Sequence, residues 1–113
     1  IARALAENSD ELVSVAAEGA RLCGFVCGRV LFSFCYPEKY AEITELFVDP
    51  ARRRGGVARA LLSHMEARFR ALGADAFHLY TGKDNLAAQA FYEGAGYRPS
   101  PEIEYQRRPQ EGR

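Results

Sequence analysis

The chain of 113 residues carries fifteen Lys plus Arg and fifteen Asp plus Glu, so its formal net charge is zero. This balance gives no support to a generally basic nucleic-acid-binding protein. Its apolar fraction of 48% and charged fraction of 27% are close to the averages of globular domains. No stretch approaches the roughly 18 apolar residues that span a bilayer. The sequence therefore predicts one globular domain over residues 1–113, with neither nucleic acid nor a membrane as partner.

The three cysteines, Cys23, Cys27 and Cys35, cannot all pair with one another. Their spacing also lacks the close ligand pairs of zinc sites, so no metal is expected. Free thiols are typical of a reducing compartment, which favours a cytoplasmic protein. The chain opens on Ile1 and its only methionine is Met65, which indicates a processed start or a piece of a longer polypeptide.

The first half of the chain predicts mainly β-strands. Residues 1–7 have the composition of the last turns of a helix. Residues 11–18 and 21–34 are rich in alternating apolar, β-branched and aromatic side chains, and they predict an antiparallel hairpin that turns at Gly19. Gly24 and Gly28 indicate a bend or bulge in the second of these strands.

A turn over residues 36–38 leads to a strand over residues 41–48, which Asp49 and Pro50 end. The period then becomes helical over residues 56–72, where Val57, Leu61, Met65 and Phe69 recur every four residues, with Ala60 and Leu72 widening the apolar stripe.

Beyond the helix, residues 74–80 predict a buried strand, on which His78 is read as structural, and residues 86–94 predict a helix capped by Asp84 or Asn85. Tyr97 and residues 103–107 predict a last strand or hairpin. This order indicates an α/β (α+β) fold, with a mixed, mostly antiparallel twisted sheet flanked by helices and a β-α-β crossover after the third strand.

The most informative stretch is the turn that joins the strand ending at Val48 to the following helix. Gly55 and Gly56 let backbone N–H groups converge at a helix N-terminus, where anions and above all phosphates bind. Arg52, Arg53 and Arg54 add positive charge beside them. Neither the G-x-G-x-x-G spacing of dinucleotide-binding folds nor a Walker P-loop occurs in the chain.

The run Arg53-Arg54-Gly55-Gly56-Val57-Ala58 resembles the R/Q-x-x-G-x-G/A loop of the GNAT superfamily of N-acetyltransferases, which binds the pyrophosphate of acetyl-CoA. The block from Asn85 to Tyr97 is similar to the family's downstream motif N-x-x-A-x-x-F-Y-x-x-x-G-F/Y. The resemblance covers residues 12–105 and implies the GNAT fold, but family members normally begin with a strand and two helices that this chain is expected to lack.

By this resemblance, the backbone of the strand before the loop would pair with the pantetheine arm like an added strand, and the loop would hold the pyrophosphate. A backbone N–H near Leu46 or Phe47 would hold the oxygen that becomes negative during acetyl transfer. The residues implied in cofactor binding are Leu46, Phe47, Val48, Arg53, Arg54, Gly55, Gly56, Val57, Ala58, Arg59, Asn85, Ala88 and Tyr92.

Three residues are candidates for catalysis. Tyr92 would protonate the departing CoA thiolate, since an ordinary tyrosine with a pKa of about 10 keeps its proton at neutral pH. Glu42 matches the catalytic glutamate of the histone-acetylating branch by its spacing to the loop, and Glu45 is the second candidate for the general base. Strand alternation predicts that Glu42 and Glu45 lie on opposite faces, and either could instead pair with an arginine.

The resemblance implies an acetyl-CoA-dependent N-acetyltransferase in which a primary amine attacks the thioester directly, without a metal. A small cationic amine or an aminoglycoside is favoured as acceptor, and protein amines stay open. The alternatives are a CoA-binding sensor or scaffold without turnover and an interaction domain whose loop binds any phosphate. A homodimer through the last strand is a further expectation.

Overall fold

Five strands form one sheet in which spatial order follows chain order. The computed structural model describes residues 2–8, 11–33 and 36–109, and the side chains of residues 11–32 and 39–109. The strands are β1 (Ala2–Asn8), β2 (Glu11–Glu18), β3 (Arg21–Ser33), β4 (Tyr36–Val48) and β5 (Ala74–Leu79), and the helices are a 3₁₀ turn (Pro50–Arg52), α1 (Val57–Ala71) and α2 (Leu86–Gly94).

The sheet is mixed, as the sequence predicts. β1 to β4 pair antiparallel in succession, whereas β4 and β5 pair parallel, with α1 as the crossover between them. Gly19 adopts the left-handed conformation in the β2–β3 turn, which confirms that hairpin. The chain divides into two compact units, residues 1–80 with the sheet and α1, and residues 81–113 with α2.

Three local predictions are wrong. Residues 2–8 form a strand rather than a helix end, because pairing with β2 from Ala2↔Ala16 onward outweighs their local helix propensity. Residues 36–38 belong to β4, where Tyr36 is already paired with Ser33, rather than to a turn. Residues 103–107 form no strand, and the side chains of Ile103 and Tyr105 are largely exposed.

The α1 face that packs on the sheet differs slightly from the predicted stripe. Leu61, Leu62, Met65 and Phe69 are fully buried, whereas Ala60 and Leu72 are exposed. β5 is also more exposed than predicted: Ala74 is buried, but His78 is exposed and packs edge-on against the Tyr40 ring. Among the described residues, no helix is both long and apolar enough to cross a membrane.

Two glycines on β3 allow α1 to lie close to the sheet. A Cβ at Gly28 would lie 2.5 Å from Cζ of Phe69 and 2.9 Å from the carbonyl oxygen of Glu42. A Cβ at Gly24 would overlap the carbonyl oxygen of Phe47. The strand pairings shift register beside both glycines, which confirms the bulges that they predict.

A buried polar contact also holds α1 to β2. The Ser14 side chain is fully buried and its Oγ accepts a hydrogen bond from Nη1 of Arg68 at 2.9 Å. The same Nη1 donates to the carbonyl oxygen of Val13 at 3.0 Å, and Nδ1 of His64 lies 3.1 Å from Oγ of Ser14. Because a buried hydroxyl without partners is costly, this network favours one position of the helix.

Replacing Gly28 by Ala should destabilise the protein by roughly 1–3 kcal/mol, because Phe69 and the Glu42 carbonyl leave no room for a methyl group. The melting temperature, followed by circular dichroism, should fall by several degrees. Gly94→Ala is the matched control, since a Cβ there meets no atom within 4 Å. An unchanged melting temperature for Gly28→Ala would contradict this packing.

Candidate active site

The turn between β4 and α1 is built from the end of β4 outward. Asp49 caps the 3₁₀ turn, where its Oδ1 accepts a hydrogen bond from the Ala51 N–H at 3.0 Å. The chain then passes through two left-handed residues, Arg54 at φ 68° and Gly56 at φ 85°, before α1 begins. Gly56 directly precedes the right-handed helical residue Val57, and such a pair points successive N–H groups toward one side, the arrangement of an anion-binding nest.

The N-terminus of α1 has donors to offer an anion. Gly56 is the N-cap and no side chain caps it, while the first helical bond runs from the Ala60 N–H to the Gly56 carbonyl. The N–H groups of Gly56, Val57, Ala58 and Arg59 therefore have no partner within the helix. Because the first turn contains no acidic residue, a bound anion would supply the negative charge that the helix dipole favours.

The internal structure of the turn does not require glycine at position 55. Its φ lies outside the left-handed region, and a Cβ there would come no closer than 3.5 Å to its nearest neighbour, the carbonyl oxygen of Arg52. Neither backbone conformation nor internal packing demands glycine at this position. The missing side chain leaves the backbone at this position open to close approach by a ligand.

The arginines of the turn have different contacts. Arg52 forms an ion pair with Glu18, and Nε of Arg53 donates to the Val48 carbonyl at 3.1 Å. Arg54 and Arg59 are exposed and form no ion pair with a residue that the structure describes. The guanidinium groups of Arg54 and Arg59, and the Nη groups of the exposed Arg53, have no partner among these contacts.

β4 continues beyond its parallel partner. The β4–β5 pairing ends at Ile43↔Leu79, so residues 44–48 extend past β5. The Asp49 N–H donates to the Cys23 carbonyl at 2.7 Å, and by strand alternation the N–H and C=O groups of Leu46 and Val48 point away from β3. This side of residues 44–48, here called the open edge, lies on the strand that the sequence resemblance predicts to bind pantetheine.

The open edge also distinguishes two candidate backbone donors. Phe47 pairs with Phe25 and lies two residues before Asp49, whose N–H donates to β3. Because alternate residues of a strand point their N–H groups to the same side, the Phe47 N–H also points toward β3. Leu46 lies in the alternate register, and its N–H points to the open edge. Of the Leu46 and Phe47 N–H groups, that of Leu46 is therefore the one open to a ligand oxygen, while Arg53 occupies the Val48 carbonyl at the same edge.

The predicted faces of Glu42 and Glu45 are wrong. The register shifts from Cys27↔Glu45 to Gly28↔Ile43, so Thr44 is an extra residue that reverses the alternation along β4. Glu42 pairs across with Arg29 and Glu45 with Cys27, which alternate onto one face of β3. Both carboxylates therefore lie on the sheet face opposite α1.

This face carries further side chains. Nε and Nη2 of Arg29 donate to Oε1 of Glu42 at 3.2 and 3.1 Å, and the rings of Phe25 and Phe47 lie 5.6 Å apart. Burial, and to a lesser extent the charges of Glu11 and Glu45, raises the pKa of the Cys27 thiol. The sequence patterns do not single out Arg29 and Phe25 as neighbours of the candidate site. Their position beside Glu42 and Phe47 follows from the register of β3 and β4.

Asn85 and Tyr92 lie in the second unit. Oδ1 of Asn85 accepts a hydrogen bond from the Ala88 N–H at 3.1 Å, which confirms Asn85 as the cap of α2. The helix ends in a Schellman motif: the Tyr97 N–H donates to the Tyr92 carbonyl, and Gly96 is left-handed.

The Schellman motif also sets the surroundings of the Tyr92 side chain. The ring of Tyr92 packs against Phe91 and Tyr97, with centroid distances of 5.2 and 5.9 Å. Burial raises the pKa of the Tyr92 phenol above its ordinary value, so the hydroxyl keeps its proton throughout the neutral range. Within the part of the chain that the structure describes, no three His, Cys, Asp or Glu side chains are grouped as metal ligands.

The sequence pattern of the acetyltransferase (GNAT) family matches residues 2–97. The match covers most of the sequence and includes both the β4–α1 turn and the α2 block, so the chain belongs to the GNAT acetyltransferase family. The mixed sheet with its helices is the fold of this family, as the sequence resemblance implied.

Three known proteins illustrate the relationship. An IAA acetyltransferase of Azospirillum brasilense is 33% identical over 78 residues, 69% of this chain and 51% of that protein. A mycothiol acetyltransferase of Beutenbergia cavernae is 40% identical over 58 residues, 51% of this chain and 20% of that protein. An aminoglycoside acetyltransferase from a soil metagenome, solved with trehalose, shares the fold with a TM-score of 0.81 and 18% identity over 93% of this chain and 69% of that chain. The chain thus spans about half or less of the two curated relatives.

Replacing Gly55 by Leu should leave the melting temperature unchanged, because the position is open, but should raise the Kd for CoA at least about tenfold by obstructing the backbone donors. Calorimetric titration measures the Kd. Gly94→Leu, at an equally open position in α2, is the control. Equal CoA affinity of Gly55→Leu and the unsubstituted chain would exclude the nest as the phosphate site.

Proposed function

We propose that the protein transfers an acetyl group from acetyl-CoA to a primary amine by direct attack in a ternary complex. The observation that carries this proposal is the junction of two backbone features in the first unit. The open edge of β4 runs directly into the nest at the N-terminus of α1, so one extended molecule with a peptide-like arm and a pyrophosphate fits both.

Each part of the junction has a role in this proposal. The C=O of Leu46 and the N–H of Val48 pair with the amide groups of the pantetheine arm, as a strand would. The first-turn N–H groups of α1, with Arg54 and Arg59, hold the pyrophosphate. Bound acetyl-CoA supplies the activated acetyl group, and the Leu46 N–H stabilises the charge that develops on its oxygen. Phe47 contributes packing, and Arg53 holds the Val48 carbonyl through Nε and offers its Nη groups to the pyrophosphate.

The acceptor is proposed to be a cationic primary amine, such as a small polyamine or an aminoglycoside. The support is the carboxylate pair Glu42 and Glu45 on the face opposite α1, where Arg29 is the cation that contacts one of them. A positively charged amine is attracted to the remaining negative charge. Protein amines belong in the same test as competing acceptors.

Tyr92 is proposed to protonate the departing thiolate. The proposal rests on its place in the F-Y block and on its raised pKa, which keeps the phenol neutral to a higher pH than an ordinary tyrosine. Asn85 and Ala88, which the resemblance places beside the cofactor, form the helix cap and its first hydrogen bond, and cofactor contact is an additional proposed role.

The proposal is tested by calorimetric titration with acetyl-CoA, followed by a thiol-release assay with a polyamine, an aminoglycoside, free amino acids and a lysine peptide. Binding with amine-dependent thiol release supports the transferase. Binding without release for every amine favours a CoA-binding sensor or scaffold. Equal competition by CoA and inorganic pyrophosphate would indicate a general phosphate site instead.

Tyr92→Phe should lower kcat about 100-fold while leaving the Kd for acetyl-CoA unchanged, because only the acidic hydroxyl is lost. Tyr105→Phe removes the same hydroxyl from a side chain that is 89% exposed and is the control. Unchanged kcat in Tyr92→Phe would assign protonation of the thiolate to another donor.

A further inference from the structure

We propose that Glu45, rather than Glu42, takes the proton from the acceptor nitrogen, an inference that rests on the proposed function. Glu45 directly precedes Leu46, whose N–H is the donor to the thioester oxygen. Glu42 lies four residues before Leu46, which is about 13 Å along an extended strand and somewhat less across a bulge. The reacting nitrogen must lie beside the thioester carbon, so Glu45 is the nearer carboxylate.

The Glu42 carboxylate is already engaged. Its Oε1 accepts both hydrogen bonds from Arg29, and its side chain is only 18% exposed. Taking a proton would remove the negative charge on which this charge-assisted contact with Arg29 depends. The geometry therefore gives Glu42 and Arg29 a structural role, which ties β3 to β4 just before the bulge.

Glu45 has different neighbours. Its side chain is exposed and forms no ion pair with a residue that the structure describes. Cys27 faces it from β3, Glu11 lies nearby on β2, and the Arg29–Glu42 pair lies toward the other end of β4. Since Cys27 is neutral and Arg29 is paired, no unpaired cation among these neighbours neutralises the Glu45 carboxylate.

The Thr44 bulge makes this placement possible. Without the extra residue, Glu45 would share the α1-covered face with Ile43, where the neighbouring side chains are buried. With it, Glu45 turns to the opposite face while Leu46 keeps its N–H at the open edge. One local irregularity thus brings a charged base and a backbone donor to adjacent positions on one strand.

The proposed step forms an amide bond and breaks the thioester bond. The neutral amine nitrogen bonds to the acetyl carbon, and the Glu45 carboxylate takes one N–H proton from that nitrogen as its positive charge develops. The carbon–sulfur bond breaks, and Tyr92 supplies a proton to the thiolate. Glu45 then returns its proton to solvent, Tyr92 is reprotonated, and the products are an amide and CoA thiol. An acceptor that arrives as an ammonium ion first loses one further proton to solvent.

The test uses Glu45→Ala, assayed with the amine that the unsubstituted chain turns over fastest. We expect kcat to fall about 100-fold, with an unchanged melting temperature and an unchanged calorimetric Kd for acetyl-CoA. Added formate should restore the rate in a concentration-dependent manner, because a small carboxylate can replace the missing base at an exposed position. A loss that formate does not restore would indicate a merely structural role and would overturn the inference.

Two further variants complete the test. Glu11→Ala removes a carboxylate from the same neighbourhood and should retain the rate of the unsubstituted chain. If Glu42→Ala shows the formate-restored loss while Glu45→Ala retains full activity, Glu42 is the base and the inference is wrong, although the transferase stands. If the unsubstituted chain binds acetyl-CoA but releases no thiol with any amine, the proposed function itself fails.

Discussion

The backbone of β4 beyond Ile43 has a strand partner on only one side, and the candidate site depends on this constraint. A row of unpaired N–H and C=O groups favours an added strand or a ligand that imitates one. Here the row ends at the helix N-terminus of α1, whose own donors also lack partners within the helix. Two separate requirements for hydrogen bonds therefore meet at one place, and an elongated anionic ligand with amide groups satisfies both.

The position of α1 links the packing of the core to the site. Gly24 and Gly28 let the helix approach β3, and the Arg68–Ser14 contact holds it to β2. Because the first turn of α1 forms the nest, any displacement of the helix moves the proposed phosphate donors relative to β4. In the proposed function, the buried residues far from the turn contribute to binding through position and not through contact.

Local patterns predicted much of this arrangement. The helix over residues 86–94 is observed with the predicted bounds and with Asn85 as its cap, because period and capping residue are both local signals. Residues 2–8 and 103–107 were mispredicted for the opposite reason, since their states depend on whether a distant strand pairs with them. The exposure of the β5 side chains likewise depends on which other elements cover the two faces of the strand. The apolar pattern of β5 itself does not determine it.

The family, the β-α-β crossover and the glycine turn can all be predicted from the amino-acid sequence, because motif spacing and periodicity are properties of neighbouring residues. The face that each carboxylate occupies depends instead on how β4 pairs with β3. The extra residue at Thr44 exists only relative to the register of β3, and it turns Glu45 to the side of Glu42. A one-residue shift reverses every side chain beyond it, so β4 alone does not reveal that the carboxylate proposed as proton acceptor lies on this face.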